Sequence, residues 1–422
     1  MSTPRSHLLL AMGSRGDVEP MVALAVGLGA AGHRARVVGL ADYAPLAAAH
    51  DVEYVSVDAR IDDALALAHG RVGRRLLSTA PAQGLVLRSW MRGLAAPFAD
   101  AVLGAAAPGE VVVTGVLTRD VATALAEDRG CRPVLAVHTA QVPTMLRESH
   151  FFAHWFTDVQ ALNRLGVRLN WQISTSLGRD VAVHVRRRLG LRVPGLREAT
   201  ARGDAFPTVV TASPLLVPPA ADWPPGTHQT GALVLPEEPF TPDAVLADFL
   251  AAGAAPVFVG FGSMARTTGA EIRALVTEAA RLTGLRVVTP ADPGRPTARL
   301  TGDVLAVAEV PHPWLFDRMR AVVHHGGAGT SGTALRAGVP SAAVAFGADQ
   351  PFHAHRLHAL GVGPLAPRIQ RLTGARLAQV LREMTSGPHA EGYRARAAEL
   401  GALARAEDGV GRTVALLDEL MA

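Results

Sequence analysis

Short apolar runs alternate along this chain with longer stretches of helical spacing. Residues 7–12, 36–40, 111–116 and 134–137 have the length and continuity of buried strands, and the amphipathic segments 18–31 and 120–126 lie between them. The pattern restarts at 257–260 and continues through 286–289, 304–307, 321–323 and 342–345. Unbroken apolar strands alternating with helices predict parallel sheets covered on both faces, and two such series predict two Rossmann-like α/β domains. Between them, VPPAADWPPG at 217–226 is the most proline-dense stretch. It predicts a linker over 217–235, dividing a first domain, 1–216, from a second, 236–390. Residues 391–422 have helical periodicity, and no repeat at solenoid spacing is present.

Composition narrows the function classes. The chain has 422 residues, enough for two domains, and 49% hydrophobic content fills two cores. No window carries the ~20 uncharged apolar residues of a membrane span, and LLLAM, followed at once by Gly-Ser-Arg-Gly-Asp, is too short for a signal-peptide core. A soluble, cytoplasmic protein without a transmembrane segment is expected. The single cysteine, Cys131, excludes an intramolecular disulfide and a cysteine metal site. A pI near 10.1 invites a nucleic-acid reading. The formal charge is only +4, however, and the chain has no lysine and three tyrosines, so little titrates between histidine and arginine and a small arginine excess lifts the pI. No arginine stripe interleaves with aromatics, and no nucleic-acid partner is expected.

The densest chemistry lies in HHGGAGTSGTALRAGVPSAAVAFGADQ, 324–350. A buried strand runs into His324, His325, Gly326, Gly327, Ala328 and Gly329, a turn with little side-chain bulk, and a helix begins near Thr330. Backbone N–H groups can approach an anion there, and the helix start adds partial positive charge. The helix stops at Gly338-Val339-Pro340. A second strand then delivers Asp349 and Gln350 to the same carboxyl edge, where open α/β sheets bind ligands. Asp349 can accept hydroxyl hydrogen bonds and Gln350 can donate and accept, which suits a hexose. By contrast Gly27, Gly29 and Gly32 satisfy GxGxxG but follow a helix and precede a strand, the reverse of the dinucleotide fingerprint.

The 324–350 string resembles the donor signature of family 1 nucleotide-sugar glycosyltransferases of the GT-B fold, in particular the bacterial natural-product and sterol-type branch. GSRGDVEP at 13–20, FVGFGSM at 258–264, PHPWLF at 311–316 and LGVGPL at 360–365 agree, in order, along nearly the whole chain. The resemblance implies two Rossmann-like domains facing across a cleft, with the C-terminal helical tail, 391–422, crossing back to the first. It implies a hexosyltransferase that uses a UDP- or dTDP-sugar as co-substrate, with no cofactor, as a monomer or homodimer. Asp17 occupies the slot of the general base that deprotonates an acceptor hydroxyl, facing the cleft, although an aspartate at a helix start is also a common cap. His325, the Gly326–Thr330 amides and Ser263 are expected to stabilise the leaving diphosphate, giving inversion in one displacement.

Departures from the plant pattern leave the nucleotide open. Glu309-Val310-Pro311-His312 stands where a base-stacking tryptophan and a ribose-binding glutamine are expected, and Thr333 where a ribose-binding glutamate is expected. Val310 then meets the base through its backbone. No DxD motif sits at a sheet edge, and Asp62-Asp63 falls in a helical segment, so no metal is expected. Asp120 falls near a relay position but reads as a helix cap. On the acceptor side Ser14, His138, Phe152, Trp155 and Trp90 are candidates. The aromatics of 145–177 and a second wall at 76–98 suit a polyketide, macrolide, glycopeptide or sterol, or else form core. Two other readings of the same fold are a sugar-nucleotide epimerase or hydrolase and a catalytically silent helper of a partner enzyme.

Overall fold

The computed structural model describes residues 4–59, 88–262 and 269–422. They form two compact units, one of Met1–Pro236 with Asp408–Ala422 and one of Glu237–Glu407. Of the stretch 391–422, residues up to Glu407 sort with the second unit and only those from Asp408 with the first.

The first unit is built on β1 (Ser6–Ala11), β2 (Arg34–Leu40), β3 (Glu53–Val57), β4 (Val111–Thr114), β5 (Arg132–Val137), β6 (Thr208–Val210) and β7 (Thr227–Gln229). All pair in parallel, in the order β3-β2-β1-β4-β5-β6-β7. Its helices are α1 (Arg15–Ala30), α2 (Ala44–Ala49), α3 (Ala95–Ala105), α4 (Arg119–Arg129), α5 (Gln160–Ser176), α6 (Arg179–Arg188) and α7 (Leu196–Asp204). Strand alternation divides the core. Leu8, Leu10, Val38 and Val112 pack on one face with Met91, Phe98 and Leu125. Leu9, Val37 and Val113 pack on the other with Met21, Leu24 and Leu417. Each wholly buried leucine contributes about 1.5–3 kcal/mol relative to exposure. The proline-dense stretch expected as an interdomain linker instead joins β6 to β7 inside this sheet.

In the second unit α8 (Ala244–Ala251) precedes β8 (Val257–Val259), followed by α9 (Gly269–Thr283), β9 (Val287–Pro290), β10 (Ala298–Arg299), β11 (Val304–Val307), α10 (His312–Phe316), β12 (Ala321–His324), α11 (Ala328–Ala337), β13 (Ser341–Ala343), α12 (Gln350–Ala359), α13 (Gly374–Thr385) and α14 (Ala390–Arg405). The sheet order is β10-β11-β9-β8-β12-β13, with only the short β10 antiparallel. Here too the faces alternate: Val257, Val287 and Val323 lie on one, Phe258, Val288 and Val322 on the other. The last helix, α15 (Gly409–Leu420), returns to the first unit, and the Asp408 side chain caps it by accepting the Gly411 amide at 2.8 Å.

The tail therefore holds two helices where periodicity predicts one continuous segment. Arg405, Glu407 and Asp408 interrupt its apolar spacing, and the Asp408 side chain caps the second helix.

Candidate active site

In the second unit the strand order reverses between β8 and β12, which opens a crevice at their carboxyl ends. β12 brings His324 and His325 to that point. His324 is completely buried, and its Nδ1 accepts the Gly326 amide at 3.0 Å, which places the ring proton on Nε2. Burial holds its pKa well below 6.5, so the ring stays neutral. Gly326 has φ +87°, and a Cβ there would lie 2.9 Å from the Gln350 carbonyl oxygen and 3.2 Å from the Ala343 Cβ. No other residue fits this turn without strain. Gly327 is the N-cap of α11 and offers no capping side chain, and the first intrahelical bond runs from the Ser331 amide to the Gly327 carbonyl. The amides of Ala328, Gly329 and Thr330 thus have no helical partner, an arrangement suited to holding an anion. The Gly326 amide, expected to join them, is already donated to His324.

His325 follows with its Nδ1 buried and without a protein partner. Burial lowers its pKa against the opposing pull of Asp349. A Cβ on Gly262, in the loop leaving β8, would stand 2.9 Å from the His325 Cε1, so the two strand ends meet at this ring. Sequence reading did not pair these two residues, although the Gly260-Phe261-Gly262 run was a visible signal. Ser263 lies outside the described residues.

Asp349 stands at the N-cap position of α12 without a side-chain cap hydrogen bond, after a turn in which Ala348 holds φ +53°, strained for a residue with a Cβ. Its Oδ2 lies 3.4 Å from Nε2 of the buried His353, one helical turn on, a neighbour the sequence reading missed. Gln350 is buried, and its Oε1 accepts the amides of Phe346 at 2.8 Å and Gly347 at 3.3 Å. The acceptor half of this amide is therefore committed to the turn, and the Nε2 donors are the part that can address a ligand. Val310 is half-buried against the Phe258 and Phe316 cluster. His312 stacks on Phe316 at 4.8 Å and meets Phe258 edge-on at 5.6 Å. Thr333 donates to the Gly329 carbonyl at 3.0 Å within its own helix.

In the first unit β1 leads into the Gly13-Ser14 loop and α1. Asp17 is the third helical residue, and its Oδ2 accepts the Ser14 amide at 2.8 Å and the Ser14 hydroxyl at 3.2 Å. It is thus a capping-box carboxylate held at a strand end, half-buried, while Ser14 is exposed. His138 follows β5, with its Nδ1 2.6 Å from the Thr211 Oγ1. The Thr211 hydroxyl also reaches the Val137 carbonyl at 3.3 Å. When it donates there it accepts the His138 Nδ1–H, which leaves the Nε2 lone pair facing away. That Nε2 has no protein partner, and burial pushes the His138 pKa down to about 4. Asp120 lies in the first turn of α4, buried, where desolvation raises its pKa.

The aromatic candidates separate. Trp90 is buried in the core with Met91, Leu94 and Phe98, so its place is structural and not an open pocket wall. Residues 76–87 of the second expected wall lie outside the described residues, as does Asp62-Asp63. Phe151 and Trp171 are buried, Trp171 donating from Nε1 to Asp204 at 2.9 Å. Phe152 is half-buried against Gly166 of α5, and its ring centroid is 4.4 Å from that of Trp155, which is 50% exposed. Among the described residues, no group of three or more His, Cys, Asp or Glu side chains is arranged to hold a metal ion, and no helix is long and apolar enough to cross a membrane.

Two family models match the chain. The C-terminal domain of the erythromycin biosynthesis protein CIII-like family matches residues 273–415, and the glycosyltransferase family 28 N-terminal domain matches residues 7–146. A sterol 3-beta-glucosyltransferase of Emericella nidulans is 28% identical over 97% of this chain and 30% of its own length. The sterol 3-beta-glucosyltransferase UGT80A2 of Arabidopsis thaliana is 29% identical over 86% of this chain and 58% of its own. The chain thus spans less than two thirds of either relative. The solved structure of the glycotransferase of kitacinnamycin superposes with a TM-score of 0.67 at 21% identity, covering 99% of both chains, a likeness of fold.

Proposed function

We propose, from the premise that this chain belongs to the family 1 glycosyltransferases of the GT-B fold, that it moves a hexose or deoxyhexose from a UDP- or dTDP-sugar to a hydroxyl of a lipophilic acceptor. The observation that carries this reading is the β12–α11 turn, where uncapped amides and a buried imidazole converge beside Asp349 and Gln350. The amides of Ala328, Gly329 and Thr330 hold the diphosphate, and Ser263 and a His325 N–H add donors. Asp349 and the Gln350 Nε2 hold sugar hydroxyls, and the backbone at Val310 meets the base. Asp17 accepts the proton of the acceptor hydroxyl as its oxygen bonds to the anomeric carbon. The bond from that carbon to the β-phosphate oxygen breaks, the nucleoside diphosphate leaves with the electron pair, and the configuration inverts. His325 is neutral in the free protein, so it serves first as a hydrogen-bond donor, and the arriving negative charge raises its pKa. No metal takes part in this scheme. Sterol-type relatives support a polycyclic or otherwise lipophilic acceptor, with Ser14, His138, Phe152 and Trp155 on its side.

Calorimetric titration of UDP-glucose and dTDP-glucose into wild type and His325→Ala, without added metal, tests the donor half. One donor should bind wild type and lose about tenfold or more in affinity with the variant. Equal binding by both proteins would remove His325 from the site. Asp17→Asn retains the cap acceptor and should keep donor binding while turnover falls about a hundredfold or more; unchanged turnover would exclude Asp17 as the base.

A further inference from the structure

Among the described residues twelve large hydrophobic side chains are exposed, and seven of them fall within residues 146–173. Such clustering in about a fifteenth of the chain marks a surface with a use. Leu162, Leu165, Leu169 and Ile173 recur at helical spacing on α5 and are 52–62% exposed. They lie opposite Asn163, Val167, Trp171 and Thr175, whose burial already anchors the helix to its unit. The outer stripe therefore contributes nothing to holding α5 in place. The helix carries Arg164 and Arg168 and no acidic residue. At its amino end a depression of about 300 Å³ is lined by Arg147, Phe156, Asp158 and Arg164, with the Arg147 guanidinium 5.8 Å from the Phe156 ring centre.

We propose that this face of the first unit seats the protein on an anionic phospholipid bilayer. The leucine stripe enters the boundary between headgroups and acyl chains, and Arg164, Arg168 and Arg147 meet lipid phosphates, two guanidiniums against the single Asp158 carboxylate in the depression. An isologous pairing of two copies through the same stripe would bring like-charged arginine pairs together, which favours lipid over a second copy as the occupant. The inference concerns a surface apart from the donor turn and holds whatever sugar is transferred.

The test is co-sedimentation of the full chain with vesicles of phosphatidylcholine alone and with about three tenths phosphatidylglycerol added. Trp155 fluorescence gives a second readout. Wild type should pellet with the anionic vesicles, more weakly with the neutral ones, and less as salt rises. Leu165→Gln with Leu169→Gln should lower vesicle affinity about tenfold or more, and Arg164→Gln should weaken only the anionic arm. All these side chains are exposed, so unchanged thermal melting will confirm that the variants fold. The proposal is overturned if wild type fails to pellet with anionic vesicles or if the double variant binds them as wild type does. It also falls if the double variant instead converts a dimer to a monomer in sedimentation velocity, or raises KM for a soluble acceptor with vesicle binding intact.

Discussion

At the scale of single residues, what matters in the β12–α11 turn is which polar atoms the fold consumes and which it leaves unused. The Gln350 Oε1 is consumed by two backbone amides and the Gly326 amide by His324. Gln350→Glu keeps an acceptor for the Phe346 and Gly347 amides but removes the N–H donors. Nucleotide-sugar affinity, read by calorimetry, should fall about tenfold or more while the protein remains folded. Gln350→Leu removes both halves and should lower Tm as well. Unaltered donor binding by Gln350→Glu would show that the amide serves the turn alone. The juxtaposition of these residues was legible in the sequence, because a small-residue turn after one buried strand and an Asp-Gln pair after the next end at the same sheet edge. The division of their atoms was not, since the Phe346 amide and the Gln350 side chain meet only through the strained turn at Ala348.

Elements were read well where burial is continuous and poorly where strands are short. Val304–Val307 has the predicted bounds, while β3, β6 and β7 went unread because their three to five residues carry little apolar signal. The GxGxxG decoy resolves into helix packing. A Cβ on Gly27 would overlap the Val410 Cγ1, so glycine lets α1 and α15 approach closely, whereas a Cβ on Gly29 would meet nothing within 4 Å. Denaturant unfolding of Gly27→Val should show a loss of about 1–3 kcal/mol, and Gly29→Ala, inside the same helix, a gain of about 0.5–1 kcal/mol. A stability gain for Gly27→Val would mean that α15 does not rest on α1 as described.

For the whole molecule, acid acts through buried histidines in both units, His324 and His325 in the second and three more in the first. His7, His138 and His150 are each held near pKa 4 against an ordinary 6.5, in every case chiefly by burial, and for His7 with a further push from His33. Their folded pKa values are depressed, so the unfolded chain takes up the protons first. The stability from keeping these rings neutral is complete above about pH 6.5 and is lost as pH falls toward 4. Tm should therefore drop by several degrees between pH 7.5 and pH 5, and a flat profile would contradict the buried neutral rings. The two-sheet architecture was legible because both halves repeat the same strand and helix rhythm. That Asp408–Ala422 belongs to the first unit came only through resemblance, since periodicity says nothing about where a helix docks. This placement has a consequence for synthesis. The amino-terminal unit emerges first yet cannot close until the whole second unit and the last helix have been translated. Until then the α1 face that receives Val414, Leu417 and Met421 stays open on the nascent chain, and it is there that a chaperone has longest to act.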